Sequence, residues 1–156
     1  TPDEFRPVAK KMAELNRVAC ETMMEFDARG ATDITGFGLA GHTLSMARAS
    51  RLGIRFFDRE VPKFPRSLEL IGLGLGTGLT GPNKELVAGG IGFQGDFSPA
   101  EQGLYWDPQT SGGLFFGIQS RDVEACLKKL HERGVSDARI VAEAFPTDKP
   151  RLEIVH

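Results

Sequence analysis

The stretch TDITGFGLAGH, residues 32–42, constrains the fold more than any other part of the chain. Gly36, Gly38 and Gly41 spell G-x-G-x-x-G where a short extended segment gives way to a helix. The preceding ATDI reads as a strand. Residues 37–49 have helical period, with Phe37, Ala40, Leu44 and Ala47 on one side, and GIRFFDREV reads as the next strand, stopped by Pro62 and Pro65. Asp58 stands at about the distance at which a dinucleotide-binding unit keeps its ribose-binding acid. Strand, helix and strand over 31–58 predict a right-handed crossover.

The flanking segments fill in the architecture. Phe5, Val8, Met12, Leu15, Ala19, Met23 and Phe26 recur at three- and four-residue steps, so residues 4–27 are predicted as one helix or two in series, packed by that stripe. Cys20 lies beside the stripe and reads as a packed thiol. RSLELIG reads as a short helix, and GLGLGTGLTGPN, with no G-K-[ST] to make a phosphate cradle, as a mobile loop. KELVAGG and PAEQGLYW read as short helical turns around a loose middle. After DPQTSGG comes the strand LFFGI, then the helix SRDVEACLKKLHERG with Val123, Cys126, Leu127 and Leu130 inward. ARIVAEAF and RLEIV are predicted as the closing strands. A second strand, helix, strand unit over 113–145 makes this a single α+β domain over 1–156, a mixed sheet with packed helices of ferredoxin-like flavour, in preference to a doubly wound one.

Composition excludes several classes. No apolar run approaches the roughly 18 residues of a membrane span and no signal segment opens the chain, so a soluble cytoplasmic protein with no membrane partner is expected. A net charge of -2 with Lys and Arg scattered among acids argues against nucleic acid as a partner. Cys20 and Cys126 form no C-x-x-C, so neither a disulfide framework nor a zinc site is expected. The opening TPDEFRPV lacks an initiating Met and reads as a piece of a longer protein.

The glycine fingerprint has two readings. A dinucleotide site needs its glycines after a buried apolar strand, whereas ATDIT places Asp33 and Thr35 where Val or Ile belong. Asp33 would also repel a pyrophosphate at the helix N-terminus, yet it would welcome a metal carried by a phosphate. The competing reading therefore makes Asp33 the functional residue, with Thr35 capping the helix and Gly36 and Gly38 letting a backbone or ligand approach the first-turn N–H groups. A dinucleotide-binding oxidoreductase fragment stays open as the alternative.

TDITGFGLAGH together with DPQTSGG at 107–113, and LNRVACETM at 15–23 ahead of them, resembles the second half of the selenide, water dikinase (selenophosphate synthetase) family. The resemblance covers the whole chain, loosely over 60–105, where Pro82-Asn83 stands in place of the family's Arg-Asn pair. It implies an α/β/α layered domain of the aminoimidazole ribonucleotide synthetase superfamily, related to the ferredoxin topology. It also implies the conversion of selenide, ATP and water to selenophosphate, AMP and phosphate, with Mg²⁺ on the ATP phosphates. The family's ATP loops, most metal-binding aspartates, its mobile Lys and its reactive Cys or selenocysteine belong to an N-terminal domain absent here. That domain is the expected partner, within a homodimer.

Carried over by the resemblance, Asp33 is a magnesium ligand, and Thr32, Thr35, Gly36 and Gly38 shape the turn that presents it. Thr110, Ser111, Gly112 and Gly113 offer hydroxyls and a backbone nest to an anion, or else form a structural turn. Asp107 is a further metal candidate. His42 is read first as a hydrogen-bonded packing residue and second as a cleft contact, while His131 and His156 are read as solvent positions. Two readings remain beside the phosphotransferase: a non-catalytic lid or dimerisation module of the same superfamily, and the oxidoreductase fragment. The geometric expectation is that the Asp33 turn and the DPQTSGG loop lie on one edge and face a common groove.

Overall fold

The computed structural model describes residues 2–156. Along the chain run α1 (Pro2–Met12), α2 (Arg17–Met24), β1 (Gly30–Asp33), α3 (Gly38–Ser50), β2 (Leu52–Phe57), α4 (Ser67–Gly72), α5 (Thr80–Val87), β3 (Ile91–Gln94), α6 (Pro99–Trp106), β4 (Leu114–Gly117), α7 (Val123–Glu132), β5 (Ala142–Pro146) and β6 (Leu152–Val155). Helices and mixed sheets make this an α+β fold, as expected.

The strands divide between two sheets. A four-stranded sheet has the order β3-β6-β2-β5, with β6 parallel to both β3 and β2, and β5 antiparallel to β2. β1 and β4 form a separate antiparallel pair, Gly30 opposite Gly117 and Asp33 opposite Leu114. The crossovers expected over 31–58 and 113–145 therefore each run from one sheet to the other. The physical reason is composition: β1 is GATD, which has no large apolar side chain to fill the centre of a sheet, while Phe56, Leu152 and Ile154 of β2 and β6 are fully buried.

One core unites both sheets. Ala40, Leu44 and Ala47 of α3 pack with Ile54, Phe56, Leu152, Ile154, Val87, Tyr105 and Trp106, and Phe115 of β4 brings its ring within 5.5 Å of Phe56. Each large side chain removed from water contributes about 1.5–3 kcal/mol, so α3, which the glycine turn opens, is a well-anchored element.

Several expectations are corrected. The N-terminal segment forms two helices in series, one of the two expected forms, with the break at residues 13–16; α2 packs on α7, where Arg133 donates to the buried Thr22 hydroxyl at 3.0 Å and Glu25 pairs with Lys129 and Arg133. Leu15, in the break, and Met24 are exposed, Ala19 and Met23 of the stripe are partly buried, and Cys20 is exposed where a packed thiol was expected. Cys126 is buried as expected. The glycine-rich stretch is shorter as a loop than predicted, because α5 begins at Thr80 and tolerates Pro82 in its first turn, and an unforeseen strand, β3, follows. Ser98 and Glu101 form a capping box that starts α6. Among the described residues, no helix is long and apolar enough to cross a membrane.

Candidate functional site

β1 ends at Asp33, and the turn that follows is stitched to the DPQTSGG loop by backbone hydrogen bonds. Ile34 N–H donates to Gly113 O at 3.0 Å, Gly112 N–H to Ile34 O at 3.0 Å, and Gln109 N–H to Thr35 O at 3.1 Å. The two motifs thus share one edge of the domain, as the sequence predicts. Ile34, itself buried, anchors the seam. Gly112 is obligatory there, since a Cβ on it would stand 2.3 Å from Ile34 O. The Asn16 side chain secures the other side of the loop by donating to Gly112 O at 3.1 Å.

The glycine turn is shaped by close approach of its own chain. Gly38 has φ +69°, and a Cβ on it would meet the Trp106 carbonyl carbon at 2.8 Å and Asp107 O at 2.9 Å. The approach that Gly38 permits is therefore by the end of α6, and no ligand backbone or pyrophosphate has that place. Asp58 does not fit the ribose-binding part either: it is buried, its Oδ1 accepts from the Tyr105 hydroxyl at 2.9 Å and its Oδ2 from Lys63 Nζ at 2.9 Å. Burial and that carboxylate push the Tyr105 hydroxyl pKa far up. Open space remains only over Gly36 and Gly113 among the glycines of the two motifs numbered 36, 38, 112 and 113.

A residue whose role the sequence leaves open proves central. Asn83, 3% exposed, donates from its amide to Gly36 O at 2.8 Å and to Trp106 O at 3.0 Å, tying the turn to α6 through α5. The buried Trp106 carbonyl, which would otherwise be unpaired, is thereby satisfied, and the partly buried Gly36 carbonyl with it. The sequence signal was an Asn one turn into a helix that has no use for it as a cap.

The polar groups divide into engaged and free. Thr35 does not cap α3, which has no side-chain cap; its Oγ1 lies 3.0 Å from His42 Nε2, and Thr32 Oγ1 lies 3.4 Å from His42 Nδ1. His42 is thus a hydrogen-bonded residue, with the Phe37 ring 5.4 Å away. Asp33 is exposed, and its carboxylate has no hydrogen bond or ion pair among the described residues; the hydroxyls of exposed Thr110 and Ser111 are likewise free. Asp107 is half-buried at the end of α6, and burial alone pushes its carboxyl above the usual range. Among the described residues, no group of three or more His, Cys, Asp or Glu could hold a metal ion. One free carboxylate at a strand end suits a hard cation only as a single contact, the remaining ligands being phosphates, waters or another domain.

Over residues 4–155 the chain matches the family described as AIR synthase related protein, C-terminal domain. The chain belongs to that family. This C-terminal domain is similar to proteins named selenide, water dikinase. That of Clostridioides difficile (strain 630) is 32% identical over 148 residues, 95% of this chain and 42% of the relative. That of Pelobacter propionicus is 33% identical over 147 residues, 94% and 42% respectively, and that of Porphyromonas gingivalis (strain ATCC 33277) is 38% identical over 125 residues, 80% and 35%. The AIR synthase related domain spans about two-fifths of the length of the curated relatives it matches.

Proposed function

We propose that this chain is the C-terminal part of an ATP-dependent selenophosphate synthetase, which converts selenide, ATP and water to selenophosphate, AMP and phosphate. The observation that carries the reading is the seam between the two motifs, which leaves the Asp33 carboxylate and the Thr110 and Ser111 hydroxyls free on one edge. Phosphoryl transfer depends on positioning and on neutralising phosphate charge, and this edge offers a carboxylate for a cation beside hydroxyls for an anion. Asp33 contributes one ligand to Mg²⁺, whose chemistry when bound is to neutralise the ATP phosphates. Thr32, Thr35, Gly36 and Gly38 set the turn, and Gly113 leaves room beside it. In this reading the relatives' remaining length supplies the ATP-binding domain, and the whole works as a cytoplasmic homodimer.

Exposed apolar residues next to the turn support a partner domain on that side. Phe37 is 57% exposed and Leu86 47%, and the two meet over Gly41, while Leu79 lies seven residues before Leu86 on the same side of α5. The same patch suits the reading of a lid or dimerisation module; the free Asp33 carboxylate beside the seam favours the phosphotransferase reading. The test is a hybrid in which this chain replaces the matched stretch of the Clostridioides difficile relative. It is expected to form AMP from ATP and selenide, and the Asp33→Asn hybrid to lose that activity while staying folded. A folded Asp33→Asn hybrid with full activity would refute the role given to Asp33.

A further inference from the structure

His42 lies on the second turn of α3 between Gly41 and Thr43, both buried, so its backbone is rigidly placed. Its ring reaches back to the two threonines that bracket Asp33 and Ile34. On its outer side the ring borders an open groove of about 460 Å³ that also touches Arg29, Gly30, Thr32, Ser45 and Met46. Packing on that side does not orient the imidazole, so its hydrogen bonds must.

The proton order follows from the donor count of each group. Thr32 Oγ1 donates to the Asp33 carbonyl at 3.1 Å, which uses its one proton. Its approach to His42 Nδ1 at 3.4 Å is therefore favourable only when Nδ1 carries the hydrogen and Thr32 accepts. A neutral imidazole with its proton on Nδ1 has a lone pair on Nε2, which accepts the Thr35 hydroxyl proton across 3.0 Å. We infer that His42 is a positioning residue whose neutral imidazole takes the Nδ1–H tautomer in a one-way chain from Thr35 through His42 and Thr32 to the Asp33 carbonyl, which fixes the 32–35 turn and the aim of the Asp33 carboxylate. The last clause rests on the proposed role of Asp33; the proton order rests on the geometry alone. Reversing any link breaks the chain, because Thr32 cannot donate to the Asp33 carbonyl and to His42 at once.

Two experiments separate these parts. In the ¹⁵N-labelled 156-residue chain at pH above the histidine range, His42 should show a directly bonded proton and a pyrrole-type shift at Nδ1, with a pyridine-type shift at Nε2. Thr35→Val, which removes the donor to Nε2, should mix the two tautomers and move the Asp33 amide resonance. An Nε2–H tautomer in the parent chain would overturn the inference whatever Asp33 does. In the hybrid enzyme, His42→Ala should lower kcat about tenfold with KM for ATP unchanged, since a small misplacement of a contact made in the transition state costs rate more than binding. His42→Asn, whose amide N–H₂ replaces the Nδ1–H donor, should recover most of the loss. A folded His42→Ala hybrid with full kcat would overturn the positioning role, while full activity of the Asp33→Asn hybrid would overturn the reading of Asp33 and leave the tautomer result standing.

Discussion

Asp33 and Asp107 flank the same turn, yet water treats them differently, and that difference separates their roles. Asp33 is exposed and free, so losing its charge removes nothing the fold depends on. Asp33→Asn is accordingly expected to leave the melting temperature of this chain within a degree or two while lowering turnover of the hybrid roughly a hundredfold, read by AMP release. Asp107 is half-buried with no cation against it, and desolvation raises its pKa in the folded state. The sign follows: a carboxyl with a raised folded pKa favours the folded state fully below its unfolded pKa, and that contribution is lost as pH rises through the folded value. Asp107→Asn should therefore raise the melting temperature at about pH 7 and have no such effect at about pH 3, where both forms are neutral. Melting curves at the two pH values check it, and equal shifts at both would assign the effect to packing. Glu153 runs the opposite way: hydrogen bonds from Arg55, then Arg151, hold its carboxyl below the usual range against the opposing effect of burial. Its stabilising contribution is present above the unfolded pKa and lost as pH falls through the folded one.

Among the elements, the seam between the β1–β4 pair and the DPQTSGG loop decides which glycines matter. Gly112→Ala should destabilise the chain by about 2 kcal/mol or more, because the new Cβ would lie 2.3 Å from Ile34 O and backbone on both sides must shift. Gly113→Ala should cost about 1 kcal/mol or less, since nothing lies within 4 Å. Chemical denaturation of the two variants checks the contrast, and similar losses would show that the seam is not what holds the loop. Both glycines look alike in the sequence, which is why it offered the whole tetrad 110–113 as one nest. Periodicity found α3, β2 and β6, whose apolar faces meet the core, and α7, whose Cys126 and Leu130 are buried outside it against α2. At α2 the stripe positions Ala19 and Met23 are partly buried beside the Thr22–Arg133 bond, whereas periodicity failed at β3, whose four residues IGFQ lie among glycines that suggest a loop. The split into two sheets was hidden for a related reason: short strands pair by tertiary fit, and nothing in GATD names its partner. At the candidate site the sequence located the two motifs and their common edge. It missed Asn83 and Asn16, because a side-chain amide that pairs with distant carbonyls leaves no local pattern.

For the whole molecule, the proposed function makes the candidate site a share of something larger. The matched relatives are more than twice as long as the stretch they have in common with this chain, and in the proposed reading the exposed Phe37, Leu79 and Leu86 beside the turn meet the partner domain. Phosphoryl transfer needs several charge-neutralising groups acting together, whereas the seam here offers one free carboxylate, and no three-ligand metal cluster exists among the described residues. The 156-residue chain alone is therefore expected to form no AMP from ATP and selenide, and to bind Mg²⁺ no more tightly than about millimolar, as a single exposed carboxylate does. Supplying the N-terminal portion of the Clostridioides difficile relative as a separate chain should restore AMP formation where the two pieces associate, and Asp33→Asn should remove it again. Leu86→Glu, which places a charge in the apolar patch, should weaken that restoration at low concentration of the added piece and recover at high concentration, because it acts on association and leaves the seam intact. AMP release by the purified 156-residue chain at an ordinary enzymatic rate would show that the site is complete within these residues, and the division of labour proposed here would fall.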